Sequence, residues 1–249
     1  METVTHAAAT EPEAQRASAL TADDACVVIP MHNEATVIGD VLAGLRPFFE
    51  AVICVDDGSH DRSAVVAKTM GANVVRHATN LGQGAALQTG IAHALRATPA
   101  RHIVTFDADG QHAPGDAFRM VQEACASGVD VVLGSRFLNR ETSVPGARRA
   151  LLKGAVAFTR ATTGLRLSDT HNGLRVLTRH AAEELEIHLN GMAHASELLQ
   201  QVASRRLRYL EVPVTVSYTE YSRAKGQSGL NALNIMFDLF LHRVTDRTC

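Results

Sequence analysis

The 249-residue sequence lacks a long apolar run, a paired set of cysteines and an excess of charge of either sign. No stretch reaches the roughly 18 to 20 apolar residues that a membrane-spanning helix needs, so we expect the chain not to cross a membrane by itself. The four cysteines show neither pairing nor CxxC spacing, which predicts free thiols in a reducing cytosol. A formal net charge of −2 excludes a generally basic nucleic-acid-binding protein.

The two ends of the chain differ in composition from its middle. Residues 1–22 are rich in Ala, Thr and Glu and have neither the basic start nor the apolar core of a signal peptide, so we predict a disordered tail. The whole chain has 46% hydrophobic and 20% charged residues, as globular proteins do. Length alone is equally consistent with one large α/β domain and with two; we predict a single α/β domain over 23–228, followed by a C-terminal amphipathic helix over 229–249.

Short apolar runs alternate with helical patterns from Ala25 onward, which is typical of a mostly parallel central sheet flanked by helices. The predicted strands are 25–30, 51–55, 72–77, 102–106 and 129–134, with predicted helices at 34–45, 61–70, 83–96 and 114–127. The rhythm then breaks, and the pattern predicts a helix over 145–164, a loop over 167–173 and a strand over 207–217. Ligands of such sheets bind at the carboxyl ends of the strands.

Two carboxylates, Asp107 and Asp109, follow the fourth predicted strand. Alternate carboxylates repel each other unless a cation lies between them. Mg²⁺ and Mn²⁺ prefer oxygen ligands, commonly one or two carboxylates together with substrate phosphates. The pattern indicates a metal-diphosphate site, although an isolated pair of this kind more often marks a strand-ending turn with solvated aspartates.

Two further strand ends carry groups that suit a nucleotide. Asp56 and Asp57 follow the second strand, where a carboxylate can bind ribose hydroxyls or the N–H of a base. Small residues after the third strand, among them Gly84, allow a helix N-terminus to approach a ligand closely. Capping and plain turns explain such residues singly. We expect the residues after the second, third and fourth strands to lie at the same edge of the sheet, and this common position favours a functional site.

Five segments in this order resemble the inverting family-2 glycosyltransferases of GT-A fold: 27–34 (VVIPMHNE), 56–59 (DDGS), 80–84 (NLGQG), 107–110 (DADG) and 134–136 (GSR). The resemblance is closest to the dolichyl-phosphate mannosyltransferase-like, polyprenyl-phosphate branch and covers roughly 25–234. It implies a single GT-A (Rossmann-like) domain and a nucleoside-diphosphate sugar as donor. It also implies a nucleotide-sugar site formed by Pro30, Glu34, Asp56, Asp57, Gly84 and Asp107, with Mg²⁺ or Mn²⁺ held by Asp107 and Asp109.

The second half of the chain is basic. Between residues 134 and 180 there are nine Arg or Lys against Glu141 and Asp169 alone, which suits a half that receives anions. Arg136 follows the fifth strand, where an arginine fork can hold phosphate oxygens; a surface salt bridge is the alternative. Segment 167–175 resembles the acceptor loop of the family, which implies that Asp169 orients the acceptor or binds the sugar and that Arg175 supplies a cation. Asn172 stands where many relatives have Ser, so the acceptor role stays open.

Two further parts of the acceptor and phosphate site rest on the resemblance. Glu197 stands where the family has a carboxylate near the active site, although an acidic residue at a helix N-terminus explains it nearly as well. Segment 221–228 resembles the loop that closes over the diphosphate in the family. There Arg223, Lys225 and Ser228 would neutralise the leaving nucleotide; a solvated basic loop is the alternative.

The charge pattern bears on the reaction. A hydroxyl acceptor requires a general base, whereas a lipid phosphate is already ionised and needs only positioning by cations. With Asp109, Arg136 and Asp169 as the catalytic residues, we predict metal-dependent transfer from a GDP- or UDP-linked sugar to a polyprenyl or dolichyl phosphate. The family resemblance implies that this transfer inverts the anomeric centre. The alternatives are transfer to a hydroxyl of a saccharide or lipid in cell-surface polysaccharide synthesis, a sugar nucleotidyltransferase, or a non-catalytic binding module. A nucleotidyltransferase would normally have a Gly-rich, Arg-containing loop after the first strand.

Two amphipathic stretches, 144–163 and 230–241, carry apolar residues with cations among or near them. Each would either lie in the bilayer interface or pack on the protein's own core. We favour peripheral association with the cytosolic face of the membrane. Some members of the family carry a transmembrane domain that is not found here, so a membrane-protein partner or a homo-oligomer is a further expectation.

Overall fold

The computed structural model describes residues 24–138, 146–191 and 193–217, without the side chains of 146–151. In these ranges the strands are β1 (Ala25–Met31), β2 (Ala51–Asp56), β3 (Asn73–Arg76), β4 (His102–Thr105), β5 (Val131–Ser135), β6 (Arg175–Thr178) and β7 (Tyr209–Pro213). The helices are α1 (Ile38–Leu45), α2 (Ser63–Thr69), α3 (Gln83–Ala97), α4 (Pro114–Ser127), α5 (Gly146–Thr163), α6 (Arg179–Glu184) and α7 (His194–Ser204).

One sheet runs through the described part of the chain in the order β3-β2-β1-β4-β6-β5-β7. All neighbouring pairs are parallel except those of β6, which is antiparallel to both β4 and β5. The predicted α/β class and mostly parallel sheet are therefore confirmed. The strands predicted before residue 135 are all present, and α4 has the predicted bounds.

Strand β1 shows why a continuous apolar run forms this sheet. All of its residues are buried, and they alternate between two hydrophobic clusters on opposite faces. Val27 and Ile29 pack in one cluster, and Cys26 and Val28 pack in the other. A strand that is covered on both faces needs apolar side chains at every position, which is the pattern of a parallel sheet between helices.

The cysteines of the described ranges are free thiols, as predicted. Cys26 and Cys54 are completely buried. Burial raises the pKa of each thiol to about 12, with a smaller opposing effect of Thr98 on Cys26. These two cysteines are therefore neutral and serve as small apolar residues of the core. Cys249 lies outside the described residues.

The sequence pattern did not predict β6. The predicted loop over 167–173 is present, and Arg175, the last residue of the segment that resembles the acceptor loop, begins a strand between β4 and β5. Arg175 pairs with Thr105 of β4 and with Leu133 of β5. Strand β6 has only four residues and begins with an arginine. Its sequence therefore has too few apolar residues to predict a strand without knowledge of the neighbouring strands. Because β6 lies next to β4, the carboxyl end of β4 lies beside Arg175 of the basic second half of the chain.

Several predicted segments lie outside the described residues, namely the tail 1–22, the loop 221–228 and the helix 229–249. The domain boundaries consequently stay predictions. Helix α5 confirms the predicted helix over 145–164. Among the helices that the structure describes, none combines the length and the apolar character needed to cross a bilayer.

Helix α3 packs closely on the sheet at Gly90. A Cβ atom at this position would lie 2.3 Å from Val28 Cγ1 and 3.0 Å from Val55 Cγ2. Gly90→Ala is therefore expected to destabilise the fold by about 1–3 kcal/mol because of overpacking, despite the better helix propensity of alanine. Gly154→Ala in α5 is the matched control, since nothing lies within 4 Å of its Cβ position.

The control should stabilise the fold by up to about 1 kcal/mol. Urea unfolding of both variants measures the difference. Equal stabilisation by the two substitutions would contradict the close packing of α3 on β1 and β2.

Candidate active site

Asp107 lies two residues beyond the end of β4, in a pocket of polar contacts. Its Oδ1 accepts a hydrogen bond from Gln83 Nε2 at 3.1 Å, and its Oδ2 accepts one from His112 Nε2 at 3.1 Å. The side chain remains 27% exposed. Neither Gln83 nor His112 was predicted as a site residue, because only the fold brings the start of α3 and residue 112 to this carboxylate.

The two predicted metal ligands differ in pKa. Burial and then the charge of Asp107 raise the pKa of Asp109 to about 6, and Glu34 adds to the rise, while Gln111 and His112 oppose it. Burial alone would raise the pKa of Asp107 as well. The hydrogen bond and charge of His112, with the charge of Arg175, outweigh burial and lower it.

This arrangement fits a hard divalent cation. Two neighbouring carboxylates, of which Asp109 is disfavoured as an anion by Asp107, gain from a positive charge between them. Both offer oxygen, the ligand that Mg²⁺ and Mn²⁺ prefer. The described residues contain no group of three or more His, Cys, Asp or Glu that could hold a metal without help. Diphosphate oxygens would therefore have to complete the coordination.

The loop before β6 lies against the same carboxylate. A Cβ atom at Gly173 would lie 2.1 Å from Asp107 Oδ2, so only glycine fits there without moving that side chain. Thr105 Oγ1 donates a hydrogen bond to the carbonyl oxygen of Gly173 at 2.7 Å, which fixes the loop to the end of β4. Segment 167–175, which resembles the acceptor loop, thus lies directly against Asp107.

The paired carboxylates after β2 have distinct surroundings. Asp57 accepts bonds of 2.8 Å from the backbone N–H groups of Leu81 and Gly82 and from His77 Nδ1. It therefore holds the loop that leads into α3. Asp56 is completely buried; it accepts a bond from Ser59 N at 2.9 Å, and Arg76 Nε lies 3.1 Å from its other oxygen. Their predicted contacts with a nucleoside stay predictions.

The other predicted nucleotide residues lie around the same strand ends. Pro30 is within β1, and Glu34 is buried shortly after it, with its backbone N–H bonded to Ser63 Oγ at 2.7 Å. The space beside Gly84 is filled by protein: its N–H donates to Asn190 O at 2.9 Å, and a Cβ atom would lie 1.9 Å from Leu189 O. The small size of Gly84 thus serves packing of the 189–190 loop.

Arg136 and Asp169 form a buried ion pair after β5. Arg136 Nε donates to Asp169 Oδ2 at 2.6 Å, the backbone N–H of Arg136 donates to the same oxygen at 3.2 Å, and Nη2 donates to His171 O at 2.7 Å. Both residues are at most 5% exposed. The surface salt bridge considered for Arg136 is therefore excluded, and its guanidinium has a fixed orientation.

Arg175 is buried at the start of β6, and its Nη1 has no hydrogen-bond partner among the described residues. Burial lowers the pKa of Arg175, while the charges of Asp107 and Asp169 oppose that effect. A buried guanidinium with an unfilled donor is costly unless a further acceptor binds it. Arg175 is therefore a candidate for contact with an anionic ligand.

His194 opens α7 close to this arginine and was not predicted as a site residue. Its Nδ1–H donates to Gly191 O at 2.8 Å, which leaves Nε2 as the unprotonated nitrogen. Burial and then the charge of Arg175 lower the pKa of His194 to about 4, against the opposing effects of Gly191 and Asp107. The side chain is neutral at pH 7 and adds no charge to the site.

Glu197 lies in the first turns of α7. Its carboxylate accepts hydrogen bonds from the backbone N–H groups of His188 and Leu189, at 3.0 and 2.9 Å. It thereby holds the loop that packs on Gly84, and its proposed role near the acceptor stays a prediction. Arg223, Lys225 and Ser228 lie outside the described residues.

The fold brings these carboxylates and arginines to one end of the sheet, and sequence comparison identifies the protein family. Residues 26–186 match the family described as Glycosyl transferase family 2. The chain belongs to this family and is a glycosyltransferase, as the sequence motifs predicted.

Three similar proteins align with most of this chain, and the names of two of them support the predicted branch. The chain is 34% identical over 227 residues to an uncharacterised protein of Methanocaldococcus jannaschii, covering 89% of this chain and 93% of that protein. It is 30% identical to the UDP-N-acetylglucosamine–dolichyl-phosphate N-acetylglucosaminyltransferase of Methanococcus voltae, covering 86% and 94% of the two chains. It is 28% identical to the polyprenol monophosphomannose synthase of Mycolicibacterium smegmatis, covering 85% and 83%.

Solved structures share the GT-A fold. Glucosyl-3-phosphoglycerate synthase from Mycobacterium tuberculosis in complex with UDP superposes with a TM-score of 0.64 at 20% identity, covering 95% of this chain and 86% of that chain. The same enzyme with Mg²⁺ and UDP has a TM-score of 0.64 at 21% identity, covering 92% and 79%. These likenesses confirm the predicted fold.

The buried neutral state of His194 has a consequence for stability. The folded-state pKa lies below the ordinary value of 6.5, so the unfolded chain binds this proton first as the pH falls. Stability is lost between pH 6.5 and 4, by about 2 kcal/mol at pH 5. Urea unfolding at pH 7 and pH 5 measures the loss, and His194→Gln should lose less than the wild type by that amount.

His60→Gln is the control for the loss of a histidine as such, because His60 is exposed. An identical pH dependence of the wild type and His194→Gln would show that the imidazole is not held neutral by the fold.

Proposed function

We propose that this glycosyltransferase transfers a sugar from a GDP- or UDP-linked donor to a polyprenyl or dolichyl phosphate. The observation that carries the proposal is the position of two buried arginines, Arg136 and Arg175, on the strand ends next to Asp107 and Asp109. The relatives named for dolichyl-phosphate and polyprenol-phosphate transfer support it. The free cysteines support a cytosolic location, with the acceptor reached at the membrane surface.

The donor end would use Asp107 and Asp109 to hold Mg²⁺ or Mn²⁺ against the diphosphate. When bound, the cation would neutralise the charge that develops on the leaving nucleoside diphosphate. The bonds from Gln83 and His112 keep Asp107 in one orientation, with part of its carboxylate exposed. Neighbours crystallised with Mg²⁺ or Mn²⁺ and UDP support this assignment.

The acceptor end would use the arginines to place an anion beside the donor sugar. Asp169 is the candidate for the general base that a hydroxyl acceptor would require. Its oxygens, however, accept bonds from Arg136 and from the backbone N–H of His171. A carboxylate so engaged serves better to orient Arg136 than to remove a proton. A phosphate acceptor needs no proton removal, since it is already ionised.

The direct experiment offers membrane lipid extract to the protein with Mn²⁺ and a panel of labelled GDP- and UDP-sugars. The proposal predicts a chloroform-soluble labelled product that mild acid hydrolyses, as expected for a sugar linked to a lipid phosphate. An acid-stable lipid or saccharide glycoside would instead support the hydroxyl acceptor.

Asp109→Asn tests the donor site. Loss of one carboxylate charge from the metal-diphosphate contact should lower transfer about 100-fold or more, and added Mn²⁺ should not restore the wild-type rate. Asp40→Asn is the matched control, because Asp40 is an exposed aspartate in the first turn of α1. Equal activity of the two variants would rule out a catalytic role for Asp109.

Gly173→Ala tests the contact between the acceptor loop and Asp107. The added methyl would displace the carboxylate of Asp107 from its bonds with Gln83 and His112, so we expect at least about tenfold lower transfer. The Mn²⁺ concentration that gives half-maximal rate should rise. Gly191→Ala is the control, since its Cβ position is open. Wild-type metal dependence in Gly173→Ala would contradict the role given to this contact.

A further inference from the structure

Glu211 on β7 is a half-buried acidic residue that no motif pointed to. It lies beside Leu133 in the parallel pairing of β7 with β5. Its carboxylate accepts hydrogen bonds from the backbone N–H of Ser168 at 2.9 and 2.8 Å, from Ser168 Oγ at 3.0 Å and from the backbone N–H of Asp169 at 3.1 Å. Three donors of two consecutive residues thus converge on one side chain.

The hydroxyl bonds in this cluster have a single consistent direction. An ionised carboxylate only accepts, so Ser168 Oγ–H must donate to Glu211. The Ser168 oxygen, 2.6 Å from Ser135 Oγ, then accepts the proton of Ser135. Ser135 is the residue before Arg136. Two contacts therefore join the end of β5 to the loop before β6, namely Ser135 with Ser168 and Arg136 with Asp169.

The surroundings of Glu211 disfavour its ionised form. Burial and the charge of Asp169 raise the pKa of Glu211, and the bonds from Ser168 and Asp169 oppose this rise without cancelling it. Two carboxylates on adjacent segments are unfavourable together. The three donors that converge on Glu211 reduce that cost, and they hold the backbone of Asp169 in place.

The position of Asp169 in turn determines that of Arg136. Asp169 Oδ2 accepts bonds from Arg136 Nε at 2.6 Å and from the backbone N–H of Arg136 at 3.2 Å. A shift of the Asp169 backbone would move this carboxylate, and the guanidinium would follow it. Glu211 therefore acts on Arg136 through one intermediate residue.

We propose that Glu211 is a positioning residue for the acceptor phosphate, which acts through Asp169 to orient Arg136. The inference rests on the proposed function, in which Arg136 contacts that phosphate. It assigns Glu211 no contact with substrate. Its loss should weaken use of the acceptor and leave use of the donor nucleotide unchanged.

The test compares Glu211→Ala and Glu211→Gln with the wild type, using a short-chain polyprenyl phosphate as acceptor. Glu211→Ala leaves three donors without their acceptor, and the KM for the acceptor should rise about tenfold or more. Glu211→Gln keeps one oxygen and should raise it about threefold, because neutral acceptors form weaker bonds. The KM for the donor should stay within about twofold in both.

Asp130→Asn is the matched control. Asp130 also joins the β5 and β7 region, by accepting a 2.8 Å bond from the backbone N–H of Arg208. It precedes β5, at the end of that strand opposite Arg136, and should leave both KM values unchanged. Equal increases of the donor and acceptor KM in the Glu211 variants, or wild-type values in them, would overturn the proposal.

A second measurement separates this inference from the proposed function. The Arg136 Nε–H resonance, assigned by its loss in Arg136→Lys, should exchange slowly with solvent in the wild type and faster in Glu211→Gln. An unchanged exchange rate overturns the positioning of Arg136 by Glu211. Faster exchange in a protein that transfers no sugar to the lipid phosphate would support the positioning and refute the proposed acceptor.

Discussion

The insertion of β6 between β4 and β5 is the constraint on which the candidate site depends. Without it, the strand that ends near Asp107 would not be held beside the strand that ends at Ser135. The antiparallel pairing places Arg175 at the centre of the sheet, opposite Thr105 and Leu133. It also brings Gly173 so close to Asp107 that a Cβ atom on residue 173 would lie 2.1 Å from Asp107 Oδ2. The pairing of β6 with β4 and β5 therefore holds the carboxylates after β4 beside the arginines of the second half of the chain.

Charge balance explains why these groups stay buried. Asp107 is offset by His112 and Arg175, and Asp169 by Arg136. Removing one member of such a pair leaves an uncompensated charge, which costs more than the pair contributes. Asp109 differs from both, because burial and the charge of Asp107 raise its pKa to about 6. A cation and a diphosphate at this position would complete the balance.

Local pattern was enough to predict the sheet and the strand-end motifs. The β-branched run of β1 requires burial on both faces, and Pro114 and Gly128 mark the ends of α4, the latter with a φ of 62°. Contacts between distant segments were not accessible in this way. Glu211 meets Ser168 across more than forty residues, and no motif announces it.

Residues of one motif also proved to have different surroundings. Asp57 binds the backbone before α3, whereas Asp56 is paired with Arg76. The glycine at 84 accommodates the 189–190 loop. A motif shows that a residue type is needed at a position, but the partner that needs it is visible only in the fold. The same holds for Arg175, which the sequence suggested as a cation and the structure shows as buried with an unfilled donor.

The central claim is that the acceptor is a lipid phosphate. Phosphorus NMR of a reaction with a pure polyprenyl phosphate, Mn²⁺ and the active nucleotide sugar tests it most directly. The account predicts that the phosphomonoester resonance of the lipid is replaced by a phosphodiester resonance, in step with release of the nucleoside diphosphate. Release of the nucleoside diphosphate together with sugar transfer, while the lipid phosphomonoester resonance stays unchanged, would contradict it.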